Sequence, residues 1–169
     1  MFRDVLVVVD ATEDAREALT QAIDLAQRER SRMTLITVER RLPACAYLGA
    51  AAALPLVMPA AEAEARQILC EALSHVPADI PVTTLLAAPP ARGVLMGQIK
   101  RGRHDLVIIG GRPGSGRLPA FGSLSRYLVR RSPVPVLVVQ GASSRGRADA
   151  RAAAKRTRAR RWATRSPAT

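Results

Sequence analysis

Two kinds of segment alternate along the chain. Short apolar runs rich in β-branched residues occur at Val5–Val9, Met33–Val38, Val82–Leu86, Leu106–Ile109 and Val136–Val139. Runs this short, with almost no polar alternation, are the pattern of strands covered on both faces. Between them lie stripes at helical spacing. Ala15, Ala18, Leu19, Ala22, Leu25 and Ala26 share one face, with Glu17, Gln21, Asp24 and Arg28 on the other. Thr12 is placed to cap this helix, and Glu13 and Asp14 lie at the positive end of its dipole. Further helices are predicted over Ala60–Ser74, Ala91–Lys100 and Ser123–Arg131. The order β-α-β-α-β-α-β-α-β predicts an α/β class domain: a doubly wound five-stranded parallel sheet with right-handed crossovers and helices on both faces. Ligands of such sheets sit beyond the carboxyl ends of the strands, where strand order reverses. That rule directs attention to Asp10, Val38–Glu39, Ala87–Pro90 and Gly110–Ser123.

Charge changes the picture at one end only. The 169 residues carry 26 Lys+Arg and 14 Asp+Glu, a formal net charge of +12. Gly141–Thr169 holds nine of the cations and one anion, Asp149, so +8 belongs to this stretch and +4 to the rest. A segment of Ala, Arg, Ser and Thr cannot bury enough surface to offset its ordering entropy. The division predicted is a folded domain over 1–140 and a basic disordered tail over 141–169. Two roles suit the tail: sequence-independent contact with nucleic-acid phosphates, or a solubilising extension. Five aromatic residues in the whole chain argue against a binder that stacks bases on aromatic platforms.

Several smaller features bound the function. Leu42–Ala61 is free of charge, but Pro43, Pro55 and Pro59 leave 11 residues, Ala44–Leu54, as its longest proline-free stretch. As helix this spans about 16 Å, roughly half of a bilayer's hydrocarbon core, so no membrane crossing is expected. The segment reads as an Ala-rich loop or short helix over the sheet, with a flap over the ligand cleft as the sharper alternative. The first residues are too short for a signal-peptide core and a cytoplasmic location is expected. Cys45 and Cys70 lack metal-ligand spacing and read as free buried thiols. His75 and His104 read as solvated loop residues, and neither lies at metal-ligand spacing from other ligands. No nucleophile, acid and base can be assembled from these groups, so the chain is not expected to be an enzyme.

The most site-like stretch is Gly110-Gly-Arg-Pro-Gly-Ser-Gly-Arg-Leu-Pro-Ala-Phe-Gly-Ser123, which follows a buried strand and opens a helix. Glycines let backbone N–H groups turn toward an anion, and a helix N-terminus adds donors and a positive dipole end. Arg112, Arg117 and the Ser123 hydroxyl extend that chemistry; the alternative is a flexible loop whose glycines only permit the turn. The stretch is neither a Walker A loop nor a dinucleotide fingerprint. Asp10, ending the first strand, suits a ribose hydroxyl, or equally a turn that caps the next helix.

Together these residues resemble the universal stress protein family over about Met1–Gln140. Val5-Leu-Val-Val-Val-Asp10 and the Ala18-Leu19, Ala22, Leu25-Ala26 stripe resemble its first strand and helix. More specific is Asp105-Leu-Val-Ile-Ile-Gly110, then Gly122-Ser123, then Ser132-Pro-Val-Pro-Val-Leu-Val-Val139. The resemblance implies strand order 3-2-1-4-5, a homodimer through the last strand, and a regulatory protein that binds ATP with Mg2+ without efficient turnover. It implies that Asp10 contacts the nucleoside and the Val38 backbone meets adenine. Ile109 and Gly110 would line the site, and Gly122, Ser123 and the Leu124 N–H would hold phosphates. The family's ATP-binding motif, Gly-x2-Gly-x9-Gly-Ser/Thr, is broken here. Pro113, which has no N–H, takes the second glycine position, and Gly114 replaces it only if the loop shifts by one residue. A nucleotide-free module that dimerises and docks a protein partner is the alternative.

Overall fold

The structure is a computed structural model, and it describes residues 1–39, 54–111 and 123–141. Its elements run β1 (Asp4–Val8), α1 (Glu13–Glu29), β2 (Arg32–Val38), α2 (Leu54–Ser74), β3 (Val82–Ala87), α3 (Ala91–Arg101), β4 (Leu106–Gly110), α4 (Ser123–Arg131) and β5 (Val136–Val139). The five strands form one parallel sheet in the order β3-β2-β1-β4-β5. The expected class, strand count and order are therefore those observed.

Alternate residues of each central strand feed two different cores. Val5, Val7, Met33, Leu35, Leu106 and Ile108 pack beneath α1 and α2, against Ala18, Leu19, Ala22, Leu69 and Ala72. Leu6, Val8, Ile36, Val107 and Ile109 point the other way, to Leu95 and Ile99 of α3 and Leu128 of α4. Covered on both sides, these strands need apolar residues at every position, which is why the runs do not alternate. The outer strands differ. Thr83 and Thr84 of β3 are exposed, and Leu137 of β5 is 43% exposed.

Hydrogen bonds across long sequence separations hold the strand beginnings in register. The Asp105 carboxylate accepts from the backbone N–H of Arg3 (2.7 Å) and of Asp4 (3.2 Å), tying the start of β4 to that of β1. The Ser31 hydroxyl donates to the Phe2 carbonyl at 2.5 Å and does the same for β2. At the opposite edge the Thr37 hydroxyl donates to the Val9 carbonyl (2.8 Å), closing β1 onto β2 beside the turn into α1.

Three expectations need correction. α2 begins at Leu54, six residues before the predicted Ala60, so part of the uncharged segment is helical. Pro55 is compatible with this because first-turn N–H groups have no intrahelical acceptor to lose. Cys70 is exposed, on the outward side of α2 between buried Leu69 and Ala72; Cys45 lies outside the described residues. His104 is buried, at 6% exposure, under the α3–β4 turn. Its Nε2 lies 3.4 Å from Gln98 Nε2, and its Nδ1 has no hydrogen-bond partner. The basic segment beyond Gly141 also lies outside the described residues.

Burial lowers the His104 pKa below its ordinary 6.5, and the nearby carboxylates of Asp4 and Asp105 only partly oppose this. A folded-state pKa below the unfolded one means that the unfolded chain binds more protons in that window. The stability gained from a neutral His104 is thus complete above about pH 6.5 and is lost as pH falls through and below that value. The melting temperature is expected to drop on acidification from pH 7.5 to 5.5, and His104→Asn is expected to flatten that drop.

Candidate functional site

β1 is the pivot of the sheet: the chain leaves it toward β2 on one side, and β4 pairs with it on the other. Beyond its carboxyl end lies a cleft of about 390 Å³, lined by Val8, Val9, Asp10, Val38, Glu39, Pro89, Pro90, Ala91, Arg92 and Leu124. That size falls within the range of about 300–1,000 Å³ usual for small-molecule sites. The walls are mainly apolar, with one carboxylate at Asp10, another at Glu39 and one guanidinium at Arg92. Residues far apart in sequence meet here because parallel strands deliver their carboxyl ends to one edge.

Of the residues nominated from sequence, Asp10, Val38 and Leu124 meet in this cleft. Asp10 is exposed, and its Oδ1 accepts from the Thr12 N–H at 2.9 Å and from the Thr12 hydroxyl. The Thr12 hydroxyl in turn accepts from the Ala15 N–H (3.3 Å), as an N-cap should. The turn-forming role of Asp10 is therefore present, alongside its place in the cleft wall.

Ile109 is buried in the core beneath α3 and α4. Gly110 is shaped by packing. A Cβ there would lie 2.7 Å from the Ala15 nitrogen and the Asp14 carbonyl carbon, so the first turn of α1 rests directly on the end of β4. Ser123 is the first residue of α4. Gly114 and Gly122 lie outside the described residues, with Pro113, Arg112 and Arg117.

Two residues not singled out in the sequence as site residues act at this edge. Asp14 is 3% exposed, and its Oδ1 accepts from the Gly141 N–H at 2.7 Å. With the Gly111 N–H donating to the Val139 carbonyl (2.6 Å), this pins the exit of β5 beside the end of β4. In sequence Asp14 reads as an ordinary first-turn acid, and its partner lies 127 residues away, so no local signal marks this role. The second is Arg92, whose guanidinium carbon lies 5.3 Å from the centroid of the Tyr127 ring. This contact links the α3 side of the cleft to α4, and an exposed first-turn arginine gave no helical or strand period to read.

Asp10 also borders a smaller hollow of about 100 Å³ between α1 and α2. The Arg16–Glu71 ion pair (3.0 Å) lies in its wall. Among the described residues, no three His, Cys, Asp or Glu side chains are grouped to hold a metal ion, and no helix is long and apolar enough to cross a membrane.

The sequence profile of the Universal stress protein family matches residues 1–140, and the chain belongs to that family. Comparison with curated protein sequences gave no significant match. Solved structures share the fold. The universal stress protein UspA from Lactobacillus plantarum superposes with a TM-score of 0.61 at 23% identity, over 81% of this chain and 97% of its own. A universal stress protein family protein from Arabidopsis thaliana with AMP bound gives 0.61 at 14% identity, over 82% and 92%. A universal stress protein in complex with cAMP gives 0.52 at 17% identity, over 82% and 96%.

The contact at Gly110 makes a sharp stability test. Gly110→Ala forces a methyl group into the α1 backbone, and denaturant unfolding is expected to show a loss of about 1–3 kcal/mol. Asp14→Ala, which strands the buried Gly141 N–H, is expected to cost a similar amount, about 1–3 kcal/mol.

Proposed function

We propose that this member of the universal stress protein family binds an adenine nucleotide, ATP in the first instance, in the cleft beyond β1, and uses occupancy as a regulatory state without efficient hydrolysis. The observation that carries this is the convergence of Asp10, Val38 and Leu124 on one cleft of suitable size. Val38, Pro89, Pro90 and Leu124 offer apolar surface to a purine, and the Asp10 carboxylate suits a ribose hydroxyl. Arg92 offers the cleft a positive charge for phosphates, which matters because Pro113 removes a backbone donor from the glycine loop. The nucleotides named with the Arabidopsis protein and the cAMP complex support the same ligand class. Mg2+ would accompany the phosphates.

The homodimer proposed for this chain forms through β5, an edge strand with Leu137 half exposed, and its location is cytoplasmic. Nucleic acid at the basic C-terminal segment belongs to the same set of proposals. A second reading has its own support: Asp10 is already engaged by Thr12, which suits a nucleotide-free module that docks a protein partner.

Calorimetry with ATP, AMP, cAMP and adenosine, each with and without Mg2+, separates the two. Binding is expected to raise the melting temperature, with about 2.7 kcal/mol of stabilisation when ligand reaches a hundredfold over Kd. Asp10→Ala is expected to weaken all four ligands about ten- to a hundredfold, in line with a lost charge-assisted hydrogen bond of about 1.5–3 kcal/mol. Arg92→Gln is expected to weaken ATP and leave adenosine unchanged, and ATP should be recovered intact. No heat and no melting shift at millimolar nucleotide would sink the nucleotide proposal and leave the docking module.

A further inference from the structure

The modest charge of the domain hides a separation of sign between its two faces. α1 and α2 together carry eight Asp or Glu against three Arg. α3 and α4, on the opposite face, carry Arg92, Lys100, Arg101, Arg126, Arg130 and Arg131 and no acid at all. Five of these six are exposed and Arg126 is half-buried. Among the described residues, no ion pair joins any of them to a carboxylate.

Helix dipoles account for part of this, since Lys100, Arg101, Arg130 and Arg131 sit in last turns, where cations are favoured. They do not account for the absence of acids from both first turns, nor for Arg92 near the positive end of α3. The helices run opposite to the strands, and α3 and α4 pack against one another. Their last turns therefore lie together at the edge where the strands begin, away from the nucleotide cleft. Exposed Arg103, in the turn after α3, adds to that edge. Asp105 and Asp4 stand at the same edge but are engaged by the backbone at the start of β1 and by Arg32, respectively. The repulsion left among the exposed cations is eased by salt or by a partner of opposite sign.

The partner's shape follows from the spread of the charges. Apart from Arg92, which faces the cleft, four exposed cations, Lys100, Arg101, Arg130 and Arg131, are spread over the last turns of two helices, more charge than one small anion meets. A nucleic-acid duplex offers one negative charge per about 1.7 Å of axis, enough to meet the last turns of both helices. Five of the six cations are arginine, whose planar fork matches phosphate oxygens. Val129 is the one large apolar side chain exposed on these helices among the described residues, and Tyr127 is half-buried against Arg92, which leaves no wedge for a bilayer and no exposed aromatic anchor for a protein. We infer that the α3–α4 face binds the phosphate backbone of nucleic acid without reading sequence.

Fluorescence anisotropy of the full chain with a short labelled DNA duplex of arbitrary sequence, across a salt series, tests this. Binding is expected at low salt, weakening to a Kd of about 10⁻⁴–10⁻⁶ M near physiological salt. The variant Lys100→Gln/Arg101→Gln/Arg130→Gln/Arg131→Gln is expected to bind at least tenfold more weakly, with a log–log salt slope shallower by about three to four. Arg130→Gln/Arg131→Gln, a milder change, is expected to make the slope shallower by about two. Replacing Arg156, Arg158, Arg160 and Arg161 by Gln is expected to leave binding that still depends on the face. Circular dichroism confirms that each variant is folded. The inference is overturned if the wild type does not bind at low salt, or if the folded face variants keep wild-type affinity and slope. Equal binding to poly-glutamate or to phosphatidylserine vesicles would also overturn it, in favour of an acidic protein or a membrane surface.

Discussion

The contact on which the site depends is the seating of the first turn of α1 on Gly110. A helix backbone can approach the end of a strand this closely only where the strand has no side chain, and a Cβ would fall 2.7 Å from the helix. The contact fixes how α1 leaves β1, and so where Asp10 and Thr12 make their turn. Asp14 completes the arrangement. Its buried carboxylate accepts from the Gly141 N–H and holds the exit of β5 against the same helix turn. Three chain segments are thereby locked around the point where strand order reverses. Buried polar groups of this kind are costly if left unmet, which makes the arrangement specific as well as stable.

Much of the fold was legible in the sequence because its cause is local. The continuous runs at Val5–Val9 and Leu106–Ile109 need both faces of the sheet covered, and only alternating strands and helices supply that cover. Parallel strands put their carboxyl ends at one edge, which pointed to Asp10 and Val38, and the family resemblance added Leu124; the three line one cleft. What stayed hidden depends on partners distant in sequence. Asp14 looked like a dipole-stabilising first-turn acid, and its acceptor role for Gly141 has no sequence signature. His104 looked solvated because it stands in a charged turn between Arg103 and Asp105; burial came from packing against Gln98 and the crowded Gly102 backbone. Gly110 was legible as a special position, and the structure adds a packing reason that sequence did not show: it admits the first turn of α1.

Charge was the feature most altered by being placed in space. Summed over the domain it amounted to little, yet it divides between the faces of the sheet, acidic over α1 and α2 and basic over α3 and α4. The cleft at the carboxyl edge and the basic rim at the amino edge are joined by α3 itself. Arg92 lies at one end of that helix and Lys100 and Arg101 at the other.

The pairing of β1 with β4 carries one more consequence, for the order in which the molecule assembles. Val5 pairs with Leu106, and Asp105 binds the backbone of Arg3 and Asp4 across about a hundred residues. Closing so long a loop is slow and entropically costly, whereas β1, β2 and β3 follow one another and pair over shorter distances. During synthesis the first three strands emerge well before β4, α4 and β5. The nascent chain at that stage has Asp10 and Val38 in place but no Leu124, no seat for α1 on Gly110 and an open flank on β1. Neither the complete cleft nor the joined α3–α4 face exists until the last segment of the domain has left the ribosome, so any ligand of either surface would meet only completed molecules.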